Sequence, residues 1–443
     1  MTKRARAGRR SPYRTAVAAA ACLFAVAAAA APHGVASNPA AAGAAFDGRL
    51  APPAGPVPPA LFGLNVINLE WGAGWPTVPF YGWRTGHSSW WHLEPARDQW
   101  QFGQLDRDVA LAQRHHVELL LILDSTPTWA SARPGEPGCC GSHAPPGKNA
   151  EAARLEDWQR YVRTVAARYR GRVHAYELWN EPNEGFFTGT VAALVELDRV
   201  AYQALKQVDP AITVVSPAFT WHGGEGVRYL DRYLALGGAQ YADAVGFHFY
   251  VAPRPPEAML PRIQAAEDVL AKHGVAGKPL WNTETGWNIL NHDKNPAPEE
   301  FAGKPLTDVE AAGVVARSYL LSWAAGVARL YWYTWGDQAM ALNEYDGRTP
   351  KLAATAYAVA QRWLIGARVT SCASDAAGTW VCELARTGGP ARVLWNPGRT
   401  VEYTVPGAWD VRRIETVAGT ASAPAAASLT VGPSPVLLEG AAP

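Results

Sequence analysis

Two glutamates in this 443-residue chain each close an apolar run. The first is Glu181, in Tyr176-Glu-Leu-Trp-Asn-Glu-Pro-Asn183. The second is Glu284, in Pro279-Leu-Trp-Asn-Thr-Glu-Thr-Gly286. Pro182 follows Glu181 at once. Proline has no N–H to give and restricts the residue before it, so a regular strand should stop there. A carboxylate is then presented at the carboxyl end of a strand. Two such groups facing one pocket cannot both ionise easily, and their pKa values should separate into one acid and one base or nucleophile. That is the pairing needed to cleave a glycosidic bond. Retention of configuration needs the carboxyls about 5–5.5 Å apart and inversion about 6.5–9.5 Å; the closer spacing is expected. Glu177 faces the same side but lies roughly 13 Å lower along a strand, and reads as a buried polar group paired with a cation. No Cys/His spacing suggests zinc, and no Ser/His/Asp arrangement offers a rival mechanism. Neither a metal nor a cofactor is expected.

The elements that must carry these glutamates form a regular alternation. Apolar runs at Leu61–Ile67, Phe80–Thr85, Val117–Asp124, Val173–Asn180, Ile212–Ser216, Ala244–Tyr250, Lys278–Glu284 and Ala328–Trp335 read as strands. Continuous runs of this kind suit parallel strands covered on both faces. Helices fall between them. Leu155, Trp158, Val162, Val165 and Tyr169 recur at gaps of three and four before Gly171, and Leu194, Leu197, Ala201, Leu205 and Val208 do so before Pro210. Thr307-Asp-Val-Glu310 is a capping box ahead of a further helix. Eight strands alternating with helices predict an α/β fold, a (β/α)8 TIM barrel, over residues 59–365. A doubly wound sheet would also alternate, but it would usually carry a Gly-rich phosphate loop after an early strand, and this chain has none. Beyond about residue 366 the runs are short, β-prone and separated by Gly, Pro and Asn. Residues 366–443 are therefore expected to form a small β-sandwich. Glu181 and Glu284 would end the fourth and seventh barrel strands, over one mouth.

With these positions assigned, the chain resembles the clan A glycoside hydrolases. Asn180-Glu181-Pro182 and Thr283-Glu-Thr-Gly-Trp287 carry the resemblance. Residues 59–440 look most like family 39, including the β-sandwich tail. The runs Trp91-His-Leu-Glu-Pro95, Trp100-Gln-Phe102, Leu105-Asp106 and Ser125-Thr-Pro-Thr-Trp129 are similar to that family as well. The family includes β-xylosidases, α-L-iduronidases and endo-acting enzymes that cut bacterial exopolysaccharides. The resemblance implies Glu181 as general acid/base, Glu284 as nucleophile, Asn180 as donor to the sugar 2-hydroxyl, and Arg84 as the cation keeping Glu284 ionised. It also implies that His248 and Tyr250 orient sugar and nucleophile, and that Trp335 is the floor on which the sugar stacks. Trp129 and Trp287, with Trp90 and Trp221, are candidates for further sugar subsites or for core. His87 and His222 are candidates to touch sugar hydroxyls.

Composition narrows the partners. Forty basic residues face 39 acidic ones, which gives no support for nucleic acid or an anionic membrane. Nineteen tryptophans suggest broad flat ligands as well as core. Lys3, Arg4, Arg6, Arg9 and Arg10 precede an apolar run from Ala16 to Ala31, the pattern of a cleaved signal peptide over residues 1–31. Residues 32–58, rich in Ala, Pro and Gly, read as a flexible linker. The protein is expected to be secreted or periplasmic, without stable membrane insertion after signal removal. Of the cysteines then left, Cys372 and Cys382 are expected to pair, while adjacent Cys139 and Cys140 would form a strained vicinal bridge or stay reduced. The expected substrate is a polysaccharide or oligosaccharide, cut by endo action on an exopolysaccharide. An exo-acting β-xylosidase or iduronidase-like enzyme is the alternative, and a non-catalytic carbohydrate-binding protein is the alternative of another class.

Overall fold

A computed structural model of the chain describes residues 49–139, 144–293, 304–337, 339–424 and 427–441. The stretch read as a signal peptide, and Cys140, lie outside the described residues. The barrel strands are β1 (Phe62–Val66), β2 (Gly82–Thr85), β3 (Glu118–Leu123), β4 (Ala175–Leu178), β5 (Thr213–Val215), β6 (Val245–His248), β7 (Leu280–Thr285) and β8 (Val327–Trp335). Each falls within, or within one residue of, an apolar run identified in the sequence. Neighbours pair in parallel from β5 back to β1, then through β8 and β7 to β6. A short strand, Phe219–Thr220, continues β5 and pairs in parallel with β6, Thr220 opposite His248. Parallel bridges Val215↔Ala244 and Asn180↔Ala218 close the ring.

Seven helices of eleven residues or more cover the barrel among the described residues: α1 (Gly103–Arg114), α2 (Leu155–Arg168), α3 (Val191–Val208), α4 (Glu225–Ala235), α5 (Leu260–Lys272), α6 (Asp308–Ala324) and α7 (Leu352–Leu364). The β1–β2 connection carries only a turn of 3-10 helix, Leu69–Trp71. The stripe of α2 buries Trp158, Val162 and Val165, and Leu194, Leu197, Ala201 and Leu205 of α3 are buried likewise. The capping box of α6 is present as expected, with the Thr307 side chain and Glu310 satisfying each other's backbone N–H groups.

The lower interior of the barrel is filled by Leu120, Ala175, Val215, Ala244, Trp281 and Tyr331. Tyr331 lies so close to β1 and β2 that a Cβ on Gly63 or Gly82 would sit 2.5 or 2.9 Å from its ring. Glycine at both positions is what lets this tyrosine cross the floor on which the site rests.

The C-terminal region is the expected antiparallel β-structure. Its strands are β9 (Arg368–Ser374), β10 (Trp380–Arg386), β11 (Gly389–Trp395), β12 (Val401–Thr404), β13 (Val411–Thr416), β14 (Ala421–Ser422), β15 (Ser428–Val431) and β16 (Val436–Gly440). Cys372 and Cys382 face each other across β9 and β10 and are disulfide-bonded. Polar contacts fasten this layer to the barrel. Trp395 Nε1 donates to Glu257 at 2.6 Å, and Arg362 and Trp363 donate to Glu415 at 2.9 and 3.1 Å.

One expectation is corrected here. Residues 49–58, the end of the stretch read as linker, are held in place. Arg49–Leu50 pairs with β9, and buried Val57 exchanges backbone hydrogen bonds with the Gly366–Ala367 turn. A composition rich in Ala, Pro and Gly does not reveal this, because the pairing runs through backbone groups. No helix among the described residues is long and apolar enough to cross a membrane.

Candidate active site

At the carboxyl end of the barrel the strands deliver their last polar residues to one small volume. Glu181 follows β4 with backbone φ 42° and ψ 55°, a left-handed conformation that turns the chain sharply before Pro182. Its N–H donates to Ala218 O at 2.9 Å. Glu284 is the fifth residue of β7. Both carboxyls are buried, at 4% and 2% exposure. One oxygen of Glu181, one of Glu284 and a ring nitrogen of His248 all lie within 4.8 Å of one another. A cation could be held at such spacing, but Arg84 already supplies the counter-charge.

Arg84, near the end of β2, is the hub. It donates to Glu284 Oε2 at 2.7 Å, to Glu177 Oε1 at 2.5 and 3.0 Å, to Asn180 Oδ1 at 2.7 Å and to Asn65 Oδ1 at 3.3 Å. Glu177 is thus the buried, cation-paired carboxylate that its position suggested. Asn180 accepts from Arg84 through its oxygen, which leaves its amide N–H groups as donors. Tyr250 O–H donates to Glu284 Oε1 at 2.7 Å. His248 Nδ1 meets Glu181 Oε1 at 2.7 Å, and its Nε2 meets Thr283 Oγ1 at 3.1 Å. His248 therefore touches the expected acid rather than the expected nucleophile.

Burial dominates the electrostatics. The Glu181 carboxyl is pushed up to about 7 by desolvation, against the pull of Arg84 and a hydrogen bond from Thr220. His248 is fully enclosed and drops to about 4, so near neutral pH it is an uncharged imidazole hydrogen-bonded to Glu181. The expectation that Arg84 holds Glu284 at a low pKa needs correction. Burial raises Glu284 too, with His248, Arg84 and the Tyr250 hydrogen bond acting in the opposite direction. One guanidinium shared among Glu177, Glu284 and Asn180 offsets the desolvation only in part. Glu284 still accepts directly from a cation and a hydroxyl, whereas Glu181 has no cation in contact. The hydrogen bonds from Arg84 and Tyr250 favour the charged form of Glu284.

Four of the expected tryptophans, Trp335, Trp287, Trp129 and Trp90, are taken up by packing contacts instead. Trp335 is wholly buried, with Nε1 donating to Gly74 O at 2.9 Å. The reason is a register shift: Tyr333 pairs with Asn65 and Trp335 with Val66, so two residues of β8 advance against one of β1. The extra residue reverses the alternation of faces. Trp335 turns outward, and Tyr333 is left beside Tyr250 and Met340, close enough to feel Glu284, Arg84 and Glu181. Trp287 is 1% exposed, stacks on Trp332 and donates to Arg254 O at 2.8 Å. Trp129 donates to Glu94 O at 2.9 Å, meets Trp90 edge-on and has Arg97 over its ring at 4.4 Å. Trp90 is fully buried in the same cluster. His87 sits on buried Asp108 at 2.5 Å; burial would lower it, but Asp108 and Glu70 bring it up to about 9. Sequence reasoning passed over Asn65, Thr220, Thr283 and Tyr333. Alternation from Tyr331 along β8 would have pointed to Tyr333.

No family model matches the chain, and no curated protein matches it. Solved structures do. A family 39 glycoside hydrolase from Bacteroides cellulosilyticus WH2 superposes with a TM-score of 0.65 at 21% identity, over 82% of this chain and 75% of that one. A glucosidase from Croceicoccus marinus gives 0.56 at 14% identity, over 89% and 99%. A GH30 endoxylanase from Clostridium papyrosolvens C71 gives 0.55 at 13% identity, over 89% and 98%. In both its barrel and its C-terminal β-structure, this chain has the fold of those glycoside hydrolases.

Proposed function

We propose that this protein is an exported retaining glycoside hydrolase that acts within a polysaccharide or oligosaccharide chain. The observation that carries the reading is the buried pair Glu181 and Glu284, with oxygens within 4.8 Å and only Glu284 in contact with Arg84 and Tyr250. That closeness suits direct attack by one carboxylate, as in a retaining enzyme, better than the wider spacing of an inverting one. In the first step a carboxylate oxygen of Glu284 bonds to the anomeric carbon. The bond to the leaving oxygen breaks, and Glu181 gives that oxygen its proton. Esterification removes the charge on Glu284, which makes Glu181 easier to keep ionised. In the second step Glu181 takes a proton from water, whose oxygen displaces Glu284 from the anomeric carbon and releases the sugar. Asn180 keeps its amide donors for the 2-hydroxyl, and neutral His248 orients Glu181. The solved structures of like fold, among them an endoxylanase, support a sugar polymer as substrate.

The test is hydrolysis of a panel of β-linked polysaccharides and exopolysaccharides, followed by NMR of the first anomer released and by sizing of the products. Retained configuration and oligosaccharide products are expected, and Glu284→Gln should abolish turnover. An inverted anomer, or full activity in that variant, would overturn the mechanism. Release of monosaccharide alone would overturn endo action.

A further inference from the structure

Past Pro182 the chain builds a rim that the two-glutamate chemistry does not use. Two segments meet there: the turn Pro182–Glu184 and the stretch Trp221-His-Gly-Gly224 that follows Thr220. Asn183 clamps them, its Nδ2 donating to Thr220 O at 2.9 Å and its Oδ1 accepting from Thr220 N at 3.0 Å. Beyond the clamp Glu184 Oε2 meets His222 Nδ1 at 3.0 Å, with the side chains 23% and 62% exposed. Burial pushes Glu184 up to about 7; His222 pulls it down and Glu181 pushes it further up, so this carboxyl lies within electrostatic reach of the acid. His222, Gly223 and Gly224 all have positive φ, of 20°, 58° and 88°. For histidine that is an uncommon conformation, and its imidazole is exposed and set against Glu184. Trp221 is half-buried, with the Arg262 guanidinium 4.9 Å from its ring centre. Arg262 in turn donates to the carbonyl of Tyr250, the residue whose hydroxyl binds Glu284. The indole is therefore anchored to the same framework as both glutamates.

We infer that Trp221, His222 and Glu184 form the subsite for the sugar on the leaving-group side, with Trp221 as stacking surface and the His222–Glu184 pair binding hydroxyls. The inference rests on the reading of Glu181 as the acid. The atom that takes its proton belongs to the departing sugar, so that sugar lies on Glu181's side of the bond and meets this rim. A pyranose gains from both parts of the subsite. A flat aglycone with no hydroxyls uses only the stacking surface.

The test compares kcat/KM for xylotetraose and cellotetraose with kcat/KM for the matching 4-nitrophenyl β-glycosides, in wild type, Trp221→Ala and His222→Ala. The ratio does not depend on the fraction of folded enzyme, and exposed His222 can be replaced without disturbing the core. The tetrasaccharide-to-aryl ratio should fall about tenfold in either variant; an unchanged ratio in both overturns the subsite. Calorimetric titration with the two tetrasaccharides separates this outcome from failure of the glycosidase reading. If wild type binds a tetrasaccharide without turning it over, the hydrolytic mechanism fails, and weaker binding in the variants still supports the subsite. No binding by wild type, or equal binding in the variants, overturns it.

Discussion

Replacing Glu181 by Gln tests the electrostatics of the site through stability rather than activity. The folded protein holds the Glu181 carboxyl at about 7 against a usual 4.5, because it is desolvated. Between those two pH values the folded state keeps a proton that the unfolded chain has released. Stability tied to this group is complete below pH 4.5, falls as pH rises, and is fully lost above pH 7; the total is about 3 kcal/mol. Gln is neutral at every pH, matches the protonated acid in shape and can still meet His248 Nδ1. Glu181→Gln should therefore track wild type at pH 4.5, apart from a constant offset, and gain about 3 kcal/mol on it at pH 8. A chain of 443 residues loses roughly 0.9 kcal/mol of stability per degree near its midpoint, so the gain is about 3–4 °C in Tm. Scanning calorimetry of both proteins at pH 4.5, 6 and 8 reads it directly. A Tm difference that stays the same at all three values would refute the argument. In wild type, kcat/KM should hold up to near pH 7 on this account and decline as pH rises through about 7, where folded Glu181 loses the proton the leaving oxygen needs.

Two further outcomes follow from contacts already described. Tyr250→Phe removes the hydroxyl that donates to Glu284 at 2.7 Å. A hydrogen bond to a charged group contributes about 1.5–3 kcal/mol, so kcat/KM should fall about 10–150-fold in steady-state assays, and a loss under threefold would count against the contact. Cys372→Ser opens the bridge to Cys382 across a sequence separation of 10. Loop-closure entropy for so short a loop is worth about 3 kcal/mol, to be measured as a lowered denaturation midpoint; an unchanged midpoint would show that the bridge does not constrain the unfolded chain.

What could be read from sequence divides along physical lines. The barrel strands were legible because parallel strands covered on both faces must be apolar throughout, and no other element writes so plain a pattern. Glu181 was legible because Pro182 ends its strand, and Glu284 because its run has the same form. The placement of the tryptophans was not. Whether Trp335 faces the pocket depends on one extra residue between Tyr333 and Trp335, a pairing detail of β8 against β1. Trp287 and Trp129 sit on connections whose direction is decided by tertiary contacts with Trp332, Arg254, Glu94 and Arg97. Linker composition misled at residues 49–58 because a backbone ladder needs no particular side chains.

That ladder has a further consequence. Arg49 and Leu50 lie opposite Ala373 and Cys372 on the outermost side of the large C-terminal sheet. Without them β9 would offer its unsatisfied N–H and C=O groups to any strand that drifted past, including that of another molecule. The chain uses two of its own residues as a guard rail there. Trimming it beyond Leu50 would remove one partly buried side chain from the core and leave a sticky border, and the damage should be seen as self-association.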